Sequence, residues 1–105
     1  MEGREPETQN AYALLTDERL IELLRTGDDE AERVLYERYK PIVRSRTRAY
    51  FLIGADHEDL VQEGMFGLFR AVQDYDSSRG AAFRSFAEVC VTRQILTAIK
   101  LATRK

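Results

Sequence analysis

The sequence contains one cysteine, one histidine and no tryptophan among its 105 residues. A single cysteine excludes an intramolecular disulfide framework, and we expect Cys90 to be a small buried apolar side chain. There is no apolar run near 18 residues and no signal-peptide pattern. The sequence therefore predicts a cytoplasmic protein with no membrane partner.

The sequence also lacks the motifs of the common enzyme classes. It has no nucleophile–base pair, no P-loop and no glycine-rich phosphate motif. His57 has no cysteine or second histidine near it, which argues against a metal site. We therefore expect no enzymatic activity and no cofactor.

Apolar residues recur at helical spacing, and no stretch alternates as a strand would. The sequence predicts an all-α fold, a compact helical bundle of about four to five helices. A chain of this length can form its own core. The polar beginning predicts a disordered tail over residues 1–15, followed by one domain over residues 16–105.

Capping residues predict several helix ends. Thr16 is suited to cap a helix over residues 17–26, and Gly27 is suited to stop it. Asp28 would cap the next helix. Pro41 is expected to start a new segment or to kink this helix.

Two further residues bound the middle of the chain. Gly54 is expected to end the helix that contains Tyr50 and Phe51, and Asp56 can cap the helix that follows. A turn rich in serine and glycine, over residues 75–82, then precedes the last helix.

Residues 59–76 predict a helix with two unlike sides at about 100° per residue. One side is an apolar core stripe: Val61, Met65, Leu68, Val72 and Tyr75, flanked by Leu60 and Ala71. The other side is polar except for one aromatic residue: Asp59, Gln62, Glu63, Phe66, Arg70 and Gln73. Phe66 among charges resembles the anchor of a protein interface, although a merely solvated face is the alternative. Gly64 and Gly67 are expected to let another helix pack closely.

Residues 83–100 predict a second helix with a basic side. The expected buried stripe is Ala87, Val91, Ile95, Ala98 and Ala102, with Phe83 and Cys90 beside it. The far side carries Phe86, Arg93, Thr97, Lys100 and Arg104. Cations at one-turn intervals suit nucleic acid phosphates, and an aromatic at one end could stack on an unpaired base. A solvated basic face is the alternative.

The net charge of −2 hides two unlike halves. Residues 1–63 carry 9 basic and 15 acidic residues, whereas residues 64–105 carry 7 basic and 3 acidic ones. This asymmetry agrees with two partners, one protein and one nucleic acid.

Three segments resemble the second conserved region of bacterial RNA polymerase sigma factors of the sigma-70 family: DLVQEGMFGLFRAVQDYD (59–76), SSRGAAFRSFA (77–87) and VTRQILTAIK (91–100). The resemblance covers roughly residues 16–105. AYFLIGADHEDLVQEG and FAEVCVTRQILTAIKLATRK are most similar to the sigma-H branch, the stationary-phase and sporulation factors of Gram-positive bacteria. The resemblance implies a transcription initiation factor domain that binds core RNA polymerase and recognises and melts the minus-ten promoter element.

The resemblance also implies roles for individual residues. The positions that dock on the coiled-coil clamp helices of the polymerase β′ subunit are Asp59, Gln62, Glu63, Met65, Phe66 and Phe69. The positions that hold the flipped adenine of the minus-ten element, on the nontemplate strand, are Tyr75, Arg79, Ser85 and Phe86. Arg93, Leu96 and Thr97 would face the upstream edge of that element, and Lys100, Arg104 and Lys105 would hold phosphates. An anti-sigma factor is a further partner that the resemblance allows.

The sequence departs from the family pattern at a few positions. Val89 and Cys90 stand where primary sigma factors have a tryptophan pair that acts as a wedge, so we expect weaker DNA melting. Ala81 and Ala82 replace residues that are often aromatic or basic. The chain stops at Lys105, before the helix-turn-helix unit that reads the minus-thirty-five element. It is therefore expected to be either a fragment or an isolated core-binding and minus-ten domain.

Other interpretations stay open. The basic residues Lys40, Arg44, Arg46 and Arg48 form either a solvated helix face or an auxiliary contact with promoter DNA. Residues 83–101 could act as the recognition helix of a repressor that binds duplex DNA. The chain could also be a sigma decoy that titrates polymerase without contacting promoters.

Overall fold

The computed structural model describes residues 11–50 and 56–103, and these ranges contain helices and turns but no strand. The helices are α1 (Asp17–Arg25), α2 (Asp29–Arg48), α3 (His57–Asp74), the short 3-10 helix η1 (Ser77–Arg79) and α4 (Phe83–Thr103). The predicted all-α fold is confirmed. No helix in the described ranges combines the length and apolarity that crossing a bilayer would need.

The chain divides into two compact units, residues 1–39 and 40–105. In the first unit the predicted caps are confirmed, because Thr16 Oγ1 accepts a hydrogen bond from Arg19 N at 3.1 Å. Asp28 Oδ1 likewise accepts one from Ala31 N at 3.0 Å at the start of α2. Gly27, between the two helices, has a φ of +98°, which is strained for other residues.

The first unit also orders residues that the sequence placed in a disordered tail. Residues 11–13 are helical, and the Tyr12 hydroxyl donates a hydrogen bond to the Asp28 carboxylate at 2.7 Å. The structure therefore differs from the predicted disordered tail over residues 11–15, because the Tyr12 hydroxyl is bonded to Asp28, the residue that caps α2. Residues 1–10 lie outside the described residues.

Pro41 lies inside α2 and does not start a new segment, contrary to one of the two expectations. A proline removes one backbone donor from a helix. The helix nevertheless continues to Arg48, with fully buried side chains following at Val43 and Thr47. We attribute the continuity to the burial of that face. The predicted helix end at Gly54 lies outside the described residues.

In the second unit α3 and α4 pack closely and run antiparallel. A Cβ atom on Gly67 would lie 2.8 Å from the Cys90 carbonyl oxygen and 2.9 Å from Val91 Cα. One on Gly64 would lie 2.5 Å from Val43 Cγ1. The predicted role of both glycines in close packing is therefore confirmed. As predicted, Asp56 caps α3, since its side chain accepts a hydrogen bond from Glu58 N at 2.8 Å.

The core of this unit follows the predicted stripes with a few exceptions. Met65 and Ala98 are half-buried, and Cys90 is half-buried rather than buried. Ala102 is exposed, and Ile99 is buried instead. Ala102 lies beside the first turn of α3, where it lines an open groove with Asp56.

Candidate functional site

The outward side of α3 carries two exposed phenylalanines among polar side chains. Because Leu60, Val61, Leu68 and Val72 are buried, Phe66 and Phe69 point away from the core and are 58% and 51% exposed. Asp59 and Gln62 are also exposed. Isolated exposed apolar residues are common, but two large aromatics one turn apart form an apolar patch.

Two grooves run beside this patch. The first, of about 490 Å³, is lined by Phe66, Phe69, Arg70, Gln73, Asp74 and Gln94. The second, of about 450 Å³, is lined by Asp56, Asp59, Leu60, Gln62, Glu63, Ala98 and Ala102. The first is called the aromatic groove because two phenylalanines line it, and the second is called the acidic groove because three carboxylates line it. A partner with apolar and basic side chains would match both.

Glu63 is less exposed than its place on the wheel suggested. It is half-buried, and its carboxylate accepts a hydrogen bond from Gln94 Nε2 of α4 at 2.9 Å. Met65, the remaining residue of the predicted docking set, is half-buried too. The structure therefore gathers Asp59, Gln62, Glu63, Phe66 and Phe69 on one surface, with Met65 at its margin.

Two of the residues predicted to hold an unpaired base, Tyr75 and Phe86, form an aromatic cluster with Phe83 at the other end of α3. Tyr75 is only 7% exposed, and its ring meets the buried Phe83 edge-on with centroids 5.3 Å apart. Its hydroxyl donates a hydrogen bond to the Ala81 carbonyl at 2.6 Å. Phe86 is half-buried and lies with its centroid 5.9 Å from that of Tyr75. Phe86, not Tyr75, presents the accessible ring.

Polar side chains surround this cluster on the connecting turn. Arg79 ends η1 and is exposed, and Gly80 follows with a φ of +89°. Asp76 fixes the turn, since its carboxylate accepts hydrogen bonds from Ser78 N at 3.0 Å and Ser78 Oγ at 2.7 Å. Ser85 is exposed in the first turn of α4. The structure thus exposes both Arg79 and Ser85, and Ser85 directly precedes Phe86 in α4.

The outward side of α4 carries the remaining predicted contacts. Arg93, Leu96, Thr97 and Lys100 are all exposed. Val89 is 49% exposed at the start of the same side. Arg93 has no ion-pair partner among the residues that the structure describes. Arg104 and Lys105 lie outside the described residues.

The two positions of the expected tryptophan wedge differ in exposure. Val89 faces outward, whereas Cys90 is half-buried against α3, where its carbonyl oxygen approaches Gly67. Burial raises the pKa of the Cys90 thiol. Ala81 and Ala82 are exposed on the turn. A bulky residue would therefore be accommodated more readily at 89 than at 90.

Two of the four basic residues of the predicted cluster on α2, Arg44 and Arg46, pair with carboxylates. Arg44 contacts Glu58 at 3.1 Å. Arg46 and Arg84 both contact Glu88, each at 3.0 Å, beside a groove of about 540 Å³. The hydrogen bond from Arg84, with the nearby charge of Arg46, holds the pKa of Glu88 below its usual range. The sequence gives no sign of this bridge, because Arg46 and Glu88 are 42 residues apart.

His57 lies in the first turn of α3 and has a structural partner. Its Nε2 lies 2.9 Å from Oγ1 of the fully buried Thr47, whose hydroxyl donates to the Arg44 carbonyl at 2.8 Å. Because that hydroxyl has only one proton, His57 Nε2 is the donor in this pair. No group of three metal-ligating side chains occurs within the described ranges.

Comparisons with known proteins place the chain beside one family of proteins. The family model for sigma-70 region 2 matches residues 35–105. The RNA polymerase sigma-H factor of Bacillus licheniformis is 46% identical over 103 residues, which cover 98% of this chain and 46% of that protein. The sigma-H factor of Bacillus subtilis (strain 168) is 49% identical over 94 residues, covering 90% of this chain and 43% of that protein. The sigma-B factor of Bacillus anthracis is 37% identical over 93 residues, covering 85% of this chain and 36% of that protein. The chain thus spans less than half the length of these relatives.

Proposed function

The chain belongs to the sigma-70 region 2 family, and on this premise we propose that it is a transcription initiation factor domain of the sigma-H type. In this proposal residues 16–105 bind core RNA polymerase on one surface and promoter DNA on another. One observation carries it. Helix α3 exposes an aromatic surface rimmed by carboxylates, and helix α4 exposes a basic stripe that contains Arg93 and Lys100.

The proposed docking surface consists of Asp59, Gln62, Glu63, Phe66 and Phe69, with Met65 at its margin, and its partner is the pair of clamp helices of the β′ subunit. The two phenylalanines supply apolar area that a partner would bury. The carboxylates at the rim favour basic side chains of the partner and set its register. An anti-sigma factor that competes for this surface would block polymerase binding.

The proposed nucleic acid contact is the nontemplate strand of the minus-ten element. Phe86 would stack on an unpaired base, with Arg79 and Ser85 beside it, while Tyr75 supports the ring from below. A captured base regains stacking that it loses on leaving the duplex, which favours strand separation. Arg93, Leu96 and Thr97 would contact the upstream edge of the element, and Lys100 and Arg104 would hold phosphates.

The docking half is tested with an isolated β′ clamp-helix fragment and the Phe66→Ala variant. We expect the affinity to fall about tenfold, because truncation removes an anchor at the centre of the interface. Leu14→Ala is the matched control, since Leu14 is 85% exposed but lies in the first unit. Equal affinities for the Phe66→Ala variant and the unaltered chain, at unchanged helicity, would contradict the docking surface.

The DNA half is tested by comparing single-stranded and duplex minus-ten DNA with core polymerase present. We expect stronger binding and crosslinking of the nontemplate strand, because only an unpaired base can stack on Phe86. A preference for duplex DNA would favour a repressor instead. Polymerase binding without any promoter crosslink would favour a decoy.

A further inference from the structure

Gln94 is a residue of α4 that faces α3 and not the basic stripe. Its side-chain amide donates the 2.9 Å hydrogen bond to Glu63 Oε1. The side chain is half-buried and lines the aromatic groove, whereas Glu63 lines the acidic groove. The bond therefore links the two grooves, each of which is lined by residues of both α3 and α4.

Gly67 makes this arrangement possible. A Cβ atom at residue 67 would lie 3.0 Å from Gln94 Cβ, closer than ordinary packing allows. Without that atom, α4 approaches α3 closely enough for Gln94 to reach Glu63, one turn away on α3. The bond follows from the close helix packing and is not an incidental surface contact.

A carboxylate held by a neutral amide keeps its full charge. Glu63 has no ion-pair partner among the described residues, so its charge stays available to a basic partner. The hydrogen bond from the Gln94 amide restricts the rotamers of the Glu63 side chain, which would otherwise lose that conformational freedom on binding. Fixing the carboxylate before association reduces the cost of binding.

We infer that Gln94 is a positioning residue for polymerase docking, which orients the Glu63 carboxylate toward a basic side chain of the partner. The inference rests on the proposed function and adds a residue from α4 to a surface that the sequence assigned to α3 alone. It also gives α4 two roles, since Gln94 lies next to Arg93 of the proposed DNA stripe.

The test is a double-mutant cycle on the full chain with the β′ clamp-helix fragment. Gln94→Ala should weaken binding about threefold to tenfold, as expected when one mobile side chain, Glu63, must be ordered on association. In the Glu63→Ala background the same substitution should change affinity by less than about 1.5-fold, because the side chain that it orients is gone. Thr92→Ala, on another side of the same helix, is the matched control and should bind normally.

The outcomes separate the inference from the proposed function. A loss of affinity for Glu63→Ala with no loss for Gln94→Ala overturns the positioning role and leaves the docking surface intact. Equal losses for Gln94→Ala in both backgrounds overturn it as well, because Gln94 would then act independently of Glu63. If Glu63→Ala binds like the unaltered chain, the docking role of Glu63 and this inference both fail.

A partner-free measurement guards against simple loss of folding. The side-chain amide resonances of Gln94 should shift in the Glu63→Ala variant and not in the Asp59→Ala variant, because only Glu63 accepts this bond. Unchanged resonances in both variants would overturn the positioning role. Helicity and thermal stability are compared across all variants, and Gln94→Asn provides a second, milder shortening.

Discussion

The rings of Tyr75 and Phe86 lie 5.9 Å apart with an angle of 46° between their planes, and only Phe86 reaches the surface. Tyr75 is held from behind by Phe83, and its hydroxyl is bonded to the Ala81 carbonyl. A base that stacks on Phe86 would therefore contact an accessible ring that packs against the buried ring of Tyr75. This division of roles leads to opposite expectations for the two aromatic residues.

Phe86→Ala should reduce the preference for a minus-ten nontemplate strand over a scrambled strand, because stacking on an aromatic ring contributes about 1–3 kcal/mol per base. Tyr75→Phe should retain the preference, since the ring remains, and should lower the free energy of unfolding by about 1 kcal/mol through the lost hydrogen bond. Strand affinities with core polymerase and urea unfolding check both. An equal loss of preference in the two variants would mean that the Tyr75 hydroxyl reads the base itself.

Lys100→Ala should weaken binding to the minus-ten strand and to the scrambled strand alike. Lys100 is exposed more than three turns beyond Phe86, where phosphates are the expected contact. The slope of log affinity against log salt should fall by about one unit, while the slope for Phe86→Ala should stay unchanged. Affinities at several salt concentrations provide the measurement. A sequence-dependent loss in Lys100→Ala would contradict a contact with phosphate alone.

The sequence was sufficient to predict features that depend on one helix at a time. Thr16, Asp28 and Asp56 cap helices as predicted, since each cap bonds to backbone within three residues. The core side of α3 also followed from its apolar period. These features are local, and the helical wheel describes them directly.

Features that depend on the neighbour of a residue were missed. The wheel placed Glu63 on the solvent side but gave no sign of Gln94, which is 31 residues away in sequence. Tyr75 was assigned both to the core and to DNA, and only the structure shows its hydroxyl bonded to Ala81. The exposure of Ala102 depends on where α3 begins beside it, which no periodicity in α4 encodes.

Gly67→Ala should destabilise the fold by about 2 kcal/mol, because its Cβ would meet the backbone of α4, which cannot move alone. Gly64→Ala meets a side-chain atom, Val43 Cγ1, so its cost should depend on that neighbour. In a Val43→Ala background, Gly64→Ala should be neutral or stabilising, while Gly67→Ala should still destabilise. Urea unfolding of the two glycine variants, of Val43→Ala and of the two double variants checks this. A similar response of both glycine variants to Val43→Ala would contradict the assigned contacts.

Glu88→Gln should lower the free energy of unfolding by about 0.5–1 kcal/mol at neutral pH, because both arginines lose a charged partner. The bond to Arg84 lowers the pKa of Glu88 in the folded state, so the stabilisation is complete above the ordinary pKa that this carboxyl has in the unfolded chain. The stabilisation is lost as the pH falls through the folded-state pKa, because protonated Glu88 is then as neutral as the glutamine that replaces it. Glu22→Gln, which removes a single exposed pair with Arg19, is the control and should change stability less. A difference between Glu88→Gln and the unaltered chain that persists at low pH would contradict this origin.

Val89→Trp should let the complete factor open a promoter with mismatches in the minus-ten element more readily. Val89 is half-exposed on the outward side of α4, so a tryptophan there can wedge against the upstream edge of the separated strands without entering the core. Cys90→Trp should instead destabilise the fold by about 1–3 kcal/mol, since Cys90 is half-buried against α3. Open-complex formation with core polymerase, on matched and mismatched promoters, provides the measurement. Leu101→Trp, on the same helix at a residue that is 63% exposed, controls for added aromatic area. If Val89→Trp folds normally and promoter tolerance stays the same, the small side chain at residue 89 does not limit melting.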